Sequence, residues 1–100
     1  MKIYRISQDL NGGCDTYDSA VVYAENEEEA RTIYPDDSIH YIDGKWYSIG
    51  TTWGGTEYKN EDTGYTWVES KDINKIKVEY LGEADLSIKK GVILSSFNAG

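Results

Sequence analysis

Residues 11–35 read Asn-Gly-Gly-Cys-Asp-Thr-Tyr-Asp-Ser, then Ala-Val-Val-Tyr-Ala, then Glu-Asn-Glu-Glu-Glu-Ala-Arg, closing on Thr-Ile-Tyr-Pro. An acidic loop, an apolar strand and a capped helix follow one another, and the rest of the fold is read outward from them. The run at 20–24 is apolar without alternation, which predicts a strand covered on both faces near the centre of a sheet. Asn26 three residues before Glu29 is a capping-box pattern, and glutamates at 27–29 suit the positive end of a helix dipole. Ala30, Ile33 and Tyr34 then share a helical face, and Pro35 ends the helix.

On the N-terminal side, Lys-Ile-Tyr-Arg-Ile-Ser-Gln at 2–8 mixes β-branched and aromatic residues and predicts a first strand, ended at Gly12 and Gly13. On the C-terminal side the clearest signal is Asp43-Gly44, the preferred two-residue type I′ hairpin turn. Pairing across it sets Ile42 opposite Lys45, Tyr41 opposite Trp46 and His40 opposite Tyr47. Both faces of that hairpin carry rings, and only one can be core. Residues 56–59 and 65–69 predict a second hairpin about the polar turn at 60–64. The alternating run at 76–80 predicts a strand with one wet face, Asp85 caps a short helical turn over 86–90, and residues 92–97 form a last strand. The fold class expected is therefore α+β, a single small domain with a mixed, mostly antiparallel sheet, one main helix and one short one. An aromatic-rich hairpin insert occupies about 36–75.

A chain of 100 residues supports one modest core, at a size where oligomerisation is a common supplement, and a homodimer fits that expectation. The net charge is −8, concentrated between Asp9 and Asp43, where ten acidic residues face one base, Arg31. Residues 51–100 carry eight acids and six lysines. Such a field repels a nucleic-acid backbone and attracts basic protein surfaces, so direct DNA binding is not expected. One cysteine excludes an internal disulfide, no secretory signal pattern opens the chain, and no apolar run approaches the ~20 residues that span a bilayer. The expected location is the cytoplasm, with no membrane role.

No catalytic motif stands out. Cys14 and His40 supply the minimum for a thiolate and its base, but any chain with one of each does so, and neither sits in a recognisable motif. Asp9, Asn11, Asp15 and Asp18 offer oxygens at a spacing unlike a calcium loop, and read better as turn and cap residues. The glycine pairs at 12–13 and 54–55 lack the flanking residues of a phosphate-binding loop. No enzyme activity, metal or cofactor is expected.

The aromatic rings are the stronger candidates. Nine Tyr and three Trp stand against one Phe, and seven of the 13 rings fall between residues 40 and 67. Rings with a polar tip suit half-dry surfaces, protein interfaces and base stacking. The candidate contact residues are Asp15, Tyr17 and Asp18 in the loop at 14–19, with Tyr41, Trp46, Tyr47, Trp53, Tyr58 and Trp67 in the insert.

The segments Cys14-Asp15-Thr16-Tyr17-Asp18-Ser19-Ala20-Val21-Val22, Glu28-Glu29-Ala30-Arg31 before Pro35, Val78-Glu79-Tyr80-Leu81-Gly82-Glu83-Ala84, Gly91-Val92-Ile93 and Ser95-Ser96-Phe97-Asn98-Ala99-Gly100 resemble a family of small proteins encoded by bacteriophages and prophages. The resemblance covers both ends of the chain and leaves out 36–75. It supplies no catalytic residues. It implies a context in which small acidic proteins inhibit host systems, with a constant scaffold carrying a variable recognition insert. The expected function is a phage accessory protein that inhibits a host defence protein with a basic surface, such as a CRISPR effector, by non-catalytic binding in the host cytoplasm. The alternatives are a sponge that sequesters a nucleotide immune signal by aromatic stacking, with Lys45, Lys59 or Arg31 meeting phosphates, and a virion or assembly component.

Overall fold

The computed structural model of the chain describes residues 1–84 and 91–98. Seven strands form two sheets: β1 (Lys2–Ser7), β2 (Thr16–Ala24), β3 (Ile39–Ile42), β4 (Lys45–Thr51), β5 (Glu57–Asp62), β6 (Lys77–Glu83) and β7 (Gly91–Asn98). The first sheet has the order β6-β1-β2-β7 and the second is the meander β3-β4-β5. Every strand pair is antiparallel. The single mixed sheet expected from the sequence is thus two antiparallel ones. A parallel pair needs a long crossover, usually a helix returning to the same sheet. Here the one α-helix, α1 (Glu27–Arg31), leads from one sheet to the other.

β2 does lie inside its sheet, between β1 and β7, but it is not covered on both faces. Thr16, Ala20, Val22 and Ala24 are buried while Tyr17, Ser19, Val21 and Tyr23 between them stay half-exposed. Helix α1 packs on β1, β2 and β6 and covers one side only. The strand also begins earlier than its apolar run. Asp15 turns the chain in a left-handed conformation (φ 60°) and the Thr16 hydroxyl donates to the Gly13 carbonyl at 2.7 Å, so the loop expected over 14–19 is mostly strand. Asp18 sits where the register with β7 shifts, between the pairs Tyr17 with Phe97 and Ser19 with Ser96.

Helix α1 is one turn long, not the main helix expected to reach Pro35. Its start is as anticipated: the Asn26 side chain accepts from the Glu29 N–H at 2.8 Å. The returning carboxylate, however, accepts from the Glu25 N–H at 3.2 Å, one residue outside the expected box. Thr32 ends it, its N–H and hydroxyl both donating to the Glu29 carbonyl. The two β-branched residues Thr32 and Ile33 disfavour another turn. Ile33 instead forms a β-bridge with His40. Ala30, Ile33 and Tyr34 are all buried, as a helical face would have had them, though the last two get there in extended chain.

The Asp43-Gly44 hairpin has the expected register, with Tyr41 opposite Trp46 and His40 opposite Tyr47, and positive φ at both turn residues. Its core face is the one with Tyr41 and Trp46. The second hairpin differs. β5 runs through residues 60–62, which were expected to turn, and pairs back on β4. Residues 65–69 form no strand. Trp67 and Val68 are neighbours in sequence and both buried, which a strand with alternating faces cannot achieve. Gly64 makes the entry possible at φ 79°: a Cβ there would lie 2.6 Å from the Val68 carbonyl carbon. A short 3₁₀ helix (Ser70–Lys75) then leads into β6. The expected helical turn over 86–90, with its Asp85 cap, lies outside the described residues.

The core joins Tyr4, Ile6, Ala20 and Val22 of the first sheet to Ala30, Tyr34, Trp46, Trp67, Val68 and Ile76. At its centre Trp46 meets Tyr34 edge-on at 5.0 Å and Tyr41 at 5.3 Å between ring centroids, and its indole N–H donates to the Val68 carbonyl at 2.9 Å. The irregular segment is tied on further by the Asn11 amide, which donates to the carbonyls of Tyr65 and Trp67, and by the Tyr17 N–H, which donates to the Thr66 carbonyl. No helix among the described residues is long and apolar enough to cross a membrane.

Candidate protein-binding surface

The far ends of β4 and β5, with the loop that joins them, project from this core as an arm. Residues 51–60 are exposed throughout, and β5 is exposed along almost its whole length. The tip, Thr52-Trp53-Gly54-Gly55-Thr56, is closed by three hydrogen bonds. The Thr52 N–H donates to the Thr56 carbonyl at 2.8 Å, the Gly55 N–H to the Thr52 carbonyl at 2.9 Å, and the Thr56 N–H to the Thr52 hydroxyl at 3.1 Å. Gly55 takes the left-handed conformation that such a turn demands (φ 82°). Trp53 stands on this closed turn with 108 % relative exposure. A large ring held out by a fixed backbone loses little conformational freedom when it docks, and Trp is the residue type most enriched at binding hot spots.

Behind the tip, Tyr58 lies over Gly50, its cross-strand partner, and remains 44 % exposed. The glycine leaves room for the ring to cover the backbone. The opposite face of the meander carries His40, Ile42, Lys45, Tyr47, Ile49 and Lys59 by register. There the Lys59 ammonium sits 4.7 Å above the Tyr47 ring and Lys45 pairs with Glu61 at 3.6 Å.

Of the nine residues singled out in the sequence, the arm and its meander bring together Trp53, Tyr58 and Tyr47. Trp46 and Trp67 are 0 % exposed, so neither can touch a partner; their size made them core residues. Tyr41 and Tyr17 are half-buried and pack against the core cluster. Tyr17 carries a raised pKa, through burial first and then the nearby charges of Asp36 and Asp37, so its hydroxyl sits in an acidic field. Asp15 and Asp18 are exposed at the start of β2. Tyr65 and Tyr80 are exposed large rings that sequence reasoning left out of the site, and only their solvent-facing placement distinguishes them from the buried ones.

The oxygens considered for a cation are dispersed. Asp9 pairs with Lys77 at 3.1 Å, and Asn11 is engaged with backbone as above. Cys14 is exposed in the loop before β2, and His40 is exposed on β3. Among the clefts lined by described residues, one of about 260 Å³ is bounded by Thr32, Tyr34, Asp37, His40 and Gly91, and one of about 300 Å³ by Leu10, Tyr65, Trp67 and Asp72. Both sit at the small end of the ligand-pocket range of ~300–1,000 Å³. The chain matches no known family model, no curated protein and no solved structure.

Proposed function

We propose that this chain is a non-catalytic protein-binding inhibitor, a phage accessory protein that acts on a host defence protein in the host cytoplasm, with a CRISPR effector as the type of target. The observation that carries the binding reading is Trp53, fully exposed on a turn closed by its own hydrogen bonds. Nothing in a solvated monomer stabilises an indole there, whereas a pocket on a partner would. The acids Asp15, Asp18, Glu27, Glu28, Asp37, Asp43, Glu57 and Glu61 are exposed as well, which favours a partner whose pocket is ringed by lysine and arginine. The phage context rests on the sequence resemblance alone.

The nucleotide-sponge reading has weaker support. Its three cations are already engaged: Arg31 with Glu27 at 3.8 Å, Lys45 with Glu61, and Lys59 over Tyr47.

The test is phage plating on hosts carrying a single active CRISPR system, with the chain expressed in trans. Wild type raises plaque counts on a host with a susceptible effector, and Trp53→Ala lowers that gain at least tenfold. Purified effector should bind wild type more weakly as salt rises. Equal protection by wild type and Trp53→Ala would remove the arm from the reading. Protection by neither form on any such host would remove the inhibitor role.

A further inference from the structure

Three strands end the two sheets with a long edge that pairs with nothing else among the described residues: β5, β6 and β7. An open edge offers a row of backbone donors and acceptors to any other strand, and soluble proteins guard such edges with charge, proline or brevity. Two of the three are guarded. β5 (Glu-Tyr-Lys-Asn-Glu-Asp) has four charged residues in six, and β6 (Lys-Val-Glu-Tyr-Leu-Gly-Glu) has three in seven. β7 reads Gly-Val-Ile-Leu-Ser-Ser-Phe-Asn, eight residues with neither charge nor proline.

We infer that the β7 edge pairs with the β7 edge of a second copy of this chain, antiparallel across a two-fold axis, joining the two four-stranded sheets into one of eight. Charge selects that occupant. A chain of net charge −8 repels its own copy over most of its surface. In a two-fold pair each residue of the strand faces its counterpart or a near neighbour, so any charge on the edge would meet the same charge. An uncharged edge is the one place where two such copies can approach without that cost. The strand is long enough for a stable ladder, and the half-exposed face of the sheet, with Ile3, Val21 and Tyr23, continues across the axis as an apolar strip. Ile93, 43 % exposed, is skipped where the register with β2 shifts between the Val21 and Val22 pairs. This pairing does not depend on the function proposed above.

Sedimentation velocity on the full chain tests it across a wide range of concentration and at low and high salt. Wild type should reach twice the chain mass and do so more readily at high salt, because screening removes the repulsion between like-charged copies. A basic partner of the arm would show the reverse salt dependence. Ile93→Glu, at an exposed position, should return the mass to that of one chain with an unchanged far-UV spectrum, while Tyr58→Glu on the β5 edge leaves the dimer intact. Hydrogen exchange on wild type supplies a readout that needs no variant: β7 amides should become more protected as concentration rises. A wild type that stays monomeric throughout, or a dimer whose β7 amides gain no protection, overturns the inference.

Discussion

Tyr58 occupies the space that a side chain at Gly50 would need: a Cβ at position 50 would lie 2.5 Å from the tyrosine ring. The pair is directly cross-strand in the arm, so the glycine, which weakens a strand in isolation, here admits an aromatic cover over the backbone. Because the colliding atoms are the far end of a half-exposed ring, Gly50→Ala should push Tyr58 aside rather than unfold the arm. The expected change in stability is within about 1 kcal/mol, since the gain in strand propensity offsets the lost cover. Proton NMR checks it: the ring-current shift on the Gly50 α-protons of wild type should be lost at the α-proton of the Gly50→Ala variant, with the core resonances unmoved.

Gly64 is the opposite case. Its Cβ would meet the backbone of Val68 and Glu69, which cannot yield without moving Trp67, and its φ of 79° is in the left-handed region. Gly64→Ala should therefore cost more than about 2 kcal/mol, combining left-handed strain with a clash. Urea denaturation followed by far-UV circular dichroism reads the loss directly, and a change below half that value would refute the packing described for the 64–68 turn.

Trp46 is wholly buried, edge-on to two tyrosines and bonded to the Val68 carbonyl. Trp46→Ala should cost about 3–5 kcal/mol, much of the stability available to a domain of this size. Trp46→Phe should keep the fold but lose about 1–3 kcal/mol, because the Val68 carbonyl is then buried without its donor. Equilibrium unfolding of both variants gives the two values.

Tyr34 holds a 2.6 Å hydrogen bond with Thr66, and burial pushes its pKa up to about 12 from the usual 10.0, with the nearby Asp62 charge adding to the rise and Thr66 opposing it. The folded state therefore favours the neutral phenol. Its contribution is fully present below pH 10 and is lost as pH rises through about 12. Thermal melts of wild type should fall between those values more steeply than melts of Tyr34→Phe, which at neutral pH loses only about 1 kcal/mol for the hydrogen bond. Parallel curves for the two proteins would show that Tyr34 is not the group responsible.

The three tryptophans should separate by fluorescence. Trp53 is solvated while Trp46 and Trp67 are not, so iodide should quench one component and leave the rest. Trp53→Ala should remove the quenchable part, with stability unchanged within about 0.5 kcal/mol, as expected for a fully exposed surface side chain.

Turns and caps were legible in the chain because their chemistry is local. Asp43-Gly44 dictates a type I′ turn whatever lies around it, and with it the pairing of Tyr41 with Trp46; Asn26 caps the next turn by reaching a backbone three residues away. The interior placement of β2 followed from an apolar run that needs neighbours. What the chain could not state was which of its chemically similar rings are inside. Trp46, Trp53 and Trp67 have the same affinity for a dry environment, and the aromatic insert reads alike along its length. Burial depends on contacts between residues far apart in sequence: Trp67 enters the core because Gly64 turns the chain inward beneath β4, while Trp53 is carried out of it because β5 pairs back on β4 instead of with residues 65–69. The length of α1 was decided in the same way, by the bridge of Ile33 to His40 that competes with another helical turn. Local sequence settled the bends; the competition among non-local partners settled the two sheets, the core and the exposed indole.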